Sequence, residues 1–249
     1  MRNFWTLLRR ELGVYFLSLT GYVIIASVTL IVGSTFVMLI HNMGDKPFAM
    51  PVTQLFFNSM MYWLLVILVA PAITMRLFAQ EKASGTFENL MTTSVGDMQV
   101  VLAKFVAALF FYMVAWLPTL ASLIIIQRFT NQPHLDLGMM GGVYLGIFLS
   151  GCLFLGIGCL ASALTKSQMV AAVTSLAAGV ILFILAYMAQ VGVETTFPQA
   201  KILLYFNLFK QMEDFSRGVV DTRTVVFYTS LTFFFLFLTL RVVESRRWK

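Results

Sequence analysis

The chain has 249 residues, of which 59% are hydrophobic and only 11% charged, and its mean hydropathy is +0.87. A soluble domain carries about 25% charged residues, so this composition excludes a chain that faces water on all sides. Its 17 Lys and Arg against 11 Asp and Glu give a net charge of +6, which on so apolar a chain points to membrane orientation and anionic headgroups and not to nucleic acid.

The first predicted element precedes any membrane span. Phe4, Leu8, Leu12 and Tyr15 or Phe16 recur at helical spacing, with Asn3, Thr6, Arg9, Arg10 and Gly13 on the other side. This predicts an interfacial helix over 2–16, with Trp5, Arg9 and Arg10 at headgroup level and Leu8 and Leu12 in the apolar stripe. The plainer alternative is a basic flank that only sets topology. Six apolar runs follow, at about 20–40, 55–78, 100–126, 139–164, 168–190 and 224–243, each long enough for a spanning helix of roughly 20 residues. Unbroken apolarity excludes barrel strands, which alternate. The fold class is therefore an all-α integral membrane protein of six transmembrane helices. The first run is too long for the apolar part of a signal peptide and is expected to stay as an anchor. Pro71 in the second run and Pro118, after Trp116, in the third predict kinks.

Between the second and third runs stands a charged island, Glu81-Lys82-Ala83-Ser84-Gly85-Thr86-Phe87-Glu88-Asn89-Leu90. Phe87, Leu90 and Met91 fall at i, i+3 and i+4, so a short helix here has one apolar face and leaves Glu81 and Glu88 in water. Gly85 permits a sharp entry, and Asp97 is the expected N-cap of the third span, closing a segment over 81–97. Such an element suits docking into a cleft on a partner; the alternative is a solvated loop at the headgroups.

In the fourth run Gly138, Gly142, Gly146 and Ser150 recur every four residues, a small-residue stripe for close helix packing within the bundle or for a dimer seam. Cys152 and Cys159 are two turns apart on one face, too distant to bridge, and read as packing residues. His41 and His134 stand alone in loops without a ligand cluster, so no metal or other cofactor is expected. The segment 191–223 is too long for a turn and too short for a domain. Within it Ile202–Phe209, opened by Phe197-Pro198, predicts a re-entrant or surface helix, and Glu213–Gly218 a turn back toward the last span; the alternative is a surface loop with an apolar patch.

With the N-terminus cytoplasmic, 11 Lys and Arg fall on inner segments and 6 on outer ones. The positive-inside rule then places both termini in the cytoplasm. No Asp, Glu, Lys, Arg or His lies in the middle third of any run, which disfavours an ion-coupled secondary transporter. No phosphate-binding Gly-x-x-x-x-Gly-Lys-[Ser/Thr] motif is present, and no nucleophile–base pair stands at recognisable spacing, so the chain is not expected to be an enzyme. Energy for any transport must come from a partner.

The run Pro71–Leu90 resembles the permease subunits of type-2 ABC exporters, in which the segment between spans two and three reads Glu-Lys, then Gly-Thr, then Glu-x-Leu. Leu102-Ala103-Lys104-Phe105 is similar to the family's return into the third span. Ser18-Leu19-Thr20-Gly21-Tyr22, Ser216–Arg223 and Glu244-Ser245-Arg246-Arg247-Trp248 look most like the gliding-motility-associated branch. Phe87 and Asn89 depart from the smaller aliphatic and the leucine commoner there. The resemblance implies a cell inner-membrane permease, working as a homo- or heterodimer with a second permease subunit, in contact with membrane lipid and driven by a separate cytoplasmic ABC ATPase subunit. It implies that Glu81, Lys82, Gly85, Thr86, Phe87, Glu88 and Leu90 form the coupling helix, Phe87 and Leu90 anchoring it and Glu88 pairing with a basic group of the ATPase. The competing expectation is a membrane scaffold of a motility or envelope assembly, coupled to an ATPase without moving a substrate.

Overall fold

Backbone N–H and C=O groups find no partner in hydrocarbon, so apolar runs of this length close their hydrogen bonds within helices. The computed structural model describes residues 2–43, 52–87, 96–130, 137–191 and 206–245, and among these every regular element is a helix. In chain order they are α1 (Arg2–Phe16), α2 (Leu19–Met43), α3 (Val52–Asn58), α4 (Met60–Thr74), α5 (Ala79–Ala83), α6 (Asp97–Ala115), α7 (Leu117–Thr130), α8 (Leu137–Leu164), α9 (Gln168–Val191), α10 (Leu208–Ser216) and α11 (Thr222–Ser245). Six stretches are long and apolar enough to cross a membrane: Leu19–His41, Met60–Ala83, Asp97–Ile125, Gly138–Leu164, Gln168–Val191 and Thr222–Ser245.

The spans form an inner and an outer set. Within the apolar stretch of each span, 83% of the residues of the fourth are buried, 67% of the second and 61% of the third, against 17%, 22% and 22% for the first, fifth and sixth. Helix α8 is the axis, packed against α4, α6, α9, α10 and α11. Its small residues permit that crowding.

Two spans are built from pieces. The second run, expected as one helix over 55–78, breaks at Ser59, whose Oγ accepts the Tyr62 N–H at 3.4 Å and donates to the Phe56 carbonyl at 2.6 Å. A serine at that point caps a new helix instead of continuing the old one. Helix α4 then runs through Pro71 and ends three residues later, at Thr74. The third run breaks at Trp116, two residues before Pro118. The Trp116 carbonyl accepts the Tyr144 hydroxyl at 3.0 Å and the Thr119 N–H at 3.1 Å, which satisfies the break internally.

The segment before the last span also differs from expectation. Residues 202–205 lie outside the described residues; the helix found is α10, Leu208–Ser216, capped by the Asn207 side chain accepting the Lys210 N–H at 3.0 Å. Glu213–Ser216, expected to turn back, are its last residues, and the turn falls at Arg217 and Gly218, where Gly218 has φ of 79°. Leu208, Phe209, Met212 and Phe215 bury this helix against α3, α8 and α9.

Helix α10 is what the small-residue stripe of α8 receives. A Cβ on Gly142 would stand 2.4 Å from the Phe215 carbonyl oxygen, and one on Gly146 2.7 Å from Met212 Sδ. Gly138 lies beside Gly218, and Ser150 Oγ is 3.1 Å from the Tyr62 hydroxyl. Gly142, Gly146 and Ser150 are buried in these contacts within the chain, whereas Gly138 is exposed. Cys152 and Cys159 are unbridged and buried.

Candidate functional site

The chemistry-bearing residues gather where α1, the short helix α5 and the start of α6 meet. Helix α1 lays Leu8, Glu11 and Tyr15 against α6, with Leu12 half-buried and Trp5, Arg9 and Arg10 exposed. The stripe therefore contains a carboxylate. Tyr15 stacks on Phe111 with ring centroids 4.9 Å apart and donates its hydroxyl to the Ile73 carbonyl at 3.0 Å. Burial raises that phenol well above its ordinary pKa, so it remains a donor.

Glu11 meets Lys104, which stands two turns inside α6 and is 2% exposed. Lys104 Nζ lies 3.1 Å from Glu11 Oε1 and 2.9 Å from Glu81 Oε1. Arg10 Nη2 reaches the same two oxygens at 2.7 Å and 3.0 Å. Two cations and two carboxylates, from three separate segments, make a neutral ring. Burial works against the Arg10 charge, but the hydrogen bond to Glu11 and the field of both carboxylates outweigh it and hold the guanidinium above its ordinary value. A buried ammonium is costly unless paired in this way.

Glu81 therefore does not stand in water as expected; its side chain is 19% exposed and bound to α1 and α6. The same inward turn applies to Lys82 and Phe87. Lys82 is buried, donates Nζ to the Ala163 carbonyl at the end of α8, and lies 5.2 Å from the centroid of the Phe87 ring, itself buried. An ammonium suits the carbonyl end of a helix. Ser162 Oγ accepts the N–H groups of Phe78 and Ala79 at 3.0 and 3.1 Å, supplying partners for the otherwise open start of α5. Helix α5 is thus tied to α1, α6 and α8 at once.

Beyond it the surface is polar. Ser84, Gly85 and Thr86 are exposed, with Ser84 Oγ 2.8 Å from Thr86 Oγ1. Gly85 has φ of 72°, the left-handed region that glycine enters without penalty. Glu88 and Leu90 lie outside the described residues. The cap of α6 is Gly96 and not Asp97; Asp97 opens the first turn, where its charge meets the positive end of the helix.

Glu11 and Lys104 carry the arrangement and were not among the expected site residues. Both left a signal: Glu11 falls three residues after Leu8 on the apolar stripe, and Lys104 lies in the third apolar run, where an unpaired charge is not tolerated. Among the described residues no group of three or more His, Cys, Asp or Glu is placed to hold a metal.

Residues 16–243, nearly the whole chain, match the sequence profile described as ABC-2 family transporter protein. The chain belongs to the ABC-2 transporter family. It is a multi-pass membrane protein and a permease subunit of an ABC transporter, and membership of the ABC-2 family implies a partner ABC ATPase subunit. No curated protein sequence matches the chain.

Proposed function

We propose that this ABC-2 permease exports its substrate across the cell inner membrane, with both termini cytoplasmic and the segment 81–97 as the coupling element seated on the ATPase. On this reading Glu81, Lys82 and Phe87 fasten the element to the bundle. Gly85 and Thr86, with Glu88 and Leu90 beyond them, face the ATPase. The observation that carries the proposal is the triple attachment of α5, through Glu81 to Arg10 and Lys104, and through Lys82 and Phe78–Ala79 to the end of α8. An element so held passes a push at its tip directly into the third and fourth spans. The interfacial helix α1 lies in the same chain of contacts, and a second permease subunit completes the transporter. The sequence likeness to the gliding-motility-associated branch makes motility-linked export the first activity to assay.

The test is co-expression with the cognate ATPase. Glu88→Lys and Thr86→Arg are expected to weaken co-purification, because they alter the face proposed to meet the ATPase. Lys104→Gln is expected to keep the ATPase bound while lowering permease-stimulated ATP hydrolysis, because it cuts the tie behind the tip. Unchanged complex formation in both tip variants, with unchanged hydrolysis in Lys104→Gln, overturns the assignment.

A further inference from the structure

Helix α4 ends at Thr74 and the chain turns through 75–78 before α5. Arg76 sits in that turn, at the end of a span, and lines a cleft of about 190 Å³ bounded by α1, the start of α2 and α5. Its Nη1 donates to Thr20 Oγ1 at 2.8 Å, and Thr20 Oγ1 is 3.1 Å from Ser18 Oγ. Among the described residues Arg76 has no carboxylate within ion-pair distance, and its buried Nε has no hydrogen-bond partner.

The charge count around the cleft sharpens this. Arg10, Arg76 and Lys104 line it, against Glu11 and Glu81. Arg10 and Lys104 engage both carboxylates, so the surplus positive charge belongs to Arg76. A part-buried guanidinium bonded only to a neutral hydroxyl calls for an anion, and a planar fork of N–H groups matches phosphate in particular. Gln80, Ser84 and Thr86 form a further polar part of the wall, and Val14, Ile24, Ile73 and Leu77 an apolar part. Leu17 and Leu19, on either side of the lining residue Ser18, are 86% and 80% exposed. A free phosphate would leave that apolar surface unused. A phospholipid fills both parts.

We propose that this cleft binds the headgroup phosphate of an anionic phospholipid, held by Arg76 with the hydroxyls of Ser18 and Thr20, its acyl chains lying along the start of α2. Only the leaflet, the cytoplasmic one, rests on the orientation proposed above. The lipid measurement itself needs no ATPase, so a failure of the transport reading leaves it intact.

The experiment is native mass spectrometry of the purified full-length chain in detergent, with phosphatidylglycerol, phosphatidylcholine and inorganic phosphate as the probes. The wild type is expected to retain phosphatidylglycerol in preference to phosphatidylcholine, and inorganic phosphate is expected not to displace it. Arg76→Gln is expected to lower phosphatidylglycerol retention about tenfold, the size of one lost charge-assisted contact. Thr20→Val keeps the charge and removes only its neutral partner, so a smaller loss is expected, and this variant also serves should Arg76→Gln fail to fold. Equal retention by the wild type and both variants overturns the proposal, as does equal retention of the two lipids. Displacement by inorganic phosphate assigns the cleft to a free anion and overturns the phospholipid.

Discussion

Lys104 stands two turns inside a spanning helix, where it shares two carboxylates with Arg10. Removing one member of such a ring leaves the others unbalanced. Lys104→Met is expected to cost about 3 kcal/mol, the typical penalty for orphaning a buried charge, measured by denaturant unfolding in detergent. The double variant Glu11→Gln with Lys104→Gln is expected to cost less than the sum of its parts, because it removes charge of both signs. This ring was half legible in the chain. Glu81 stands in the motif that singles out the island, but a carboxylate between Gln80 and Lys82 reads as a wet one. Only the three-dimensional approach of α1 and α6 turns it inward. Lys82 and Phe87 are buried as well, the ammonium bonded to the end of α8 and lying over the Phe87 ring.

At the scale of elements, the contact of α10 with α8 is sensitive to a single methyl group. The hypothetical Cβ of Gly142 meets a backbone carbonyl, which cannot step aside, whereas that of Gly146 meets the flexible end of Met212. Gly142→Ala is therefore expected to destabilise the chain by about 2 kcal/mol, as overpacking against a rigid neighbour does, and Gly146→Ala by clearly less. Thermal unfolding of the two purified variants side by side checks the order. The stripe itself was visible from its period of four. Its partner was not, because α10 is a nine-residue helix whose apolar positions are interleaved with Lys210, Glu213 and Asp214. Charges in that stretch suggested a turn. In fact they occupy the open side of the helix, and Glu213 accepts from Gln54 Nε2 of α3 at 2.9 Å. The break at Ser59 was concealed in the same way, since one serine hardly dents the hydropathy of the run around it. The six spans needed no such subtlety: hydrocarbon admits few solutions to the backbone, and length with apolarity selects among them.

For the whole molecule, the orientation proposed above places both termini in the cytoplasm, in keeping with six candidate spans and the charge bias. A membrane-impermeant thiol reagent in intact cells tests that directly, because the native cysteines, Cys152 and Cys159, are both buried. Asp221→Cys, exposed at the start of α11, is expected to label, and Ser84→Cys, exposed beyond α5, to be protected until the membrane is opened. The reverse pattern inverts the orientation. The division into an inner and an outer set of spans has a further consequence for how the chain tolerates change. Spans two, three and four are wrapped by protein, so most substitutions in them disturb packing, whereas most side chains of spans one, five and six reach the molecular surface. Where that surface meets lipid, one apolar residue should serve as well as another. Where it meets a second permease subunit, substitutions should be rejected although nothing in this chain touches the side chain. A saturation scan of spans one, five and six would then draw the footprint of the proposed second permease subunit, as the set of positions that are exposed here and yet cannot be changed.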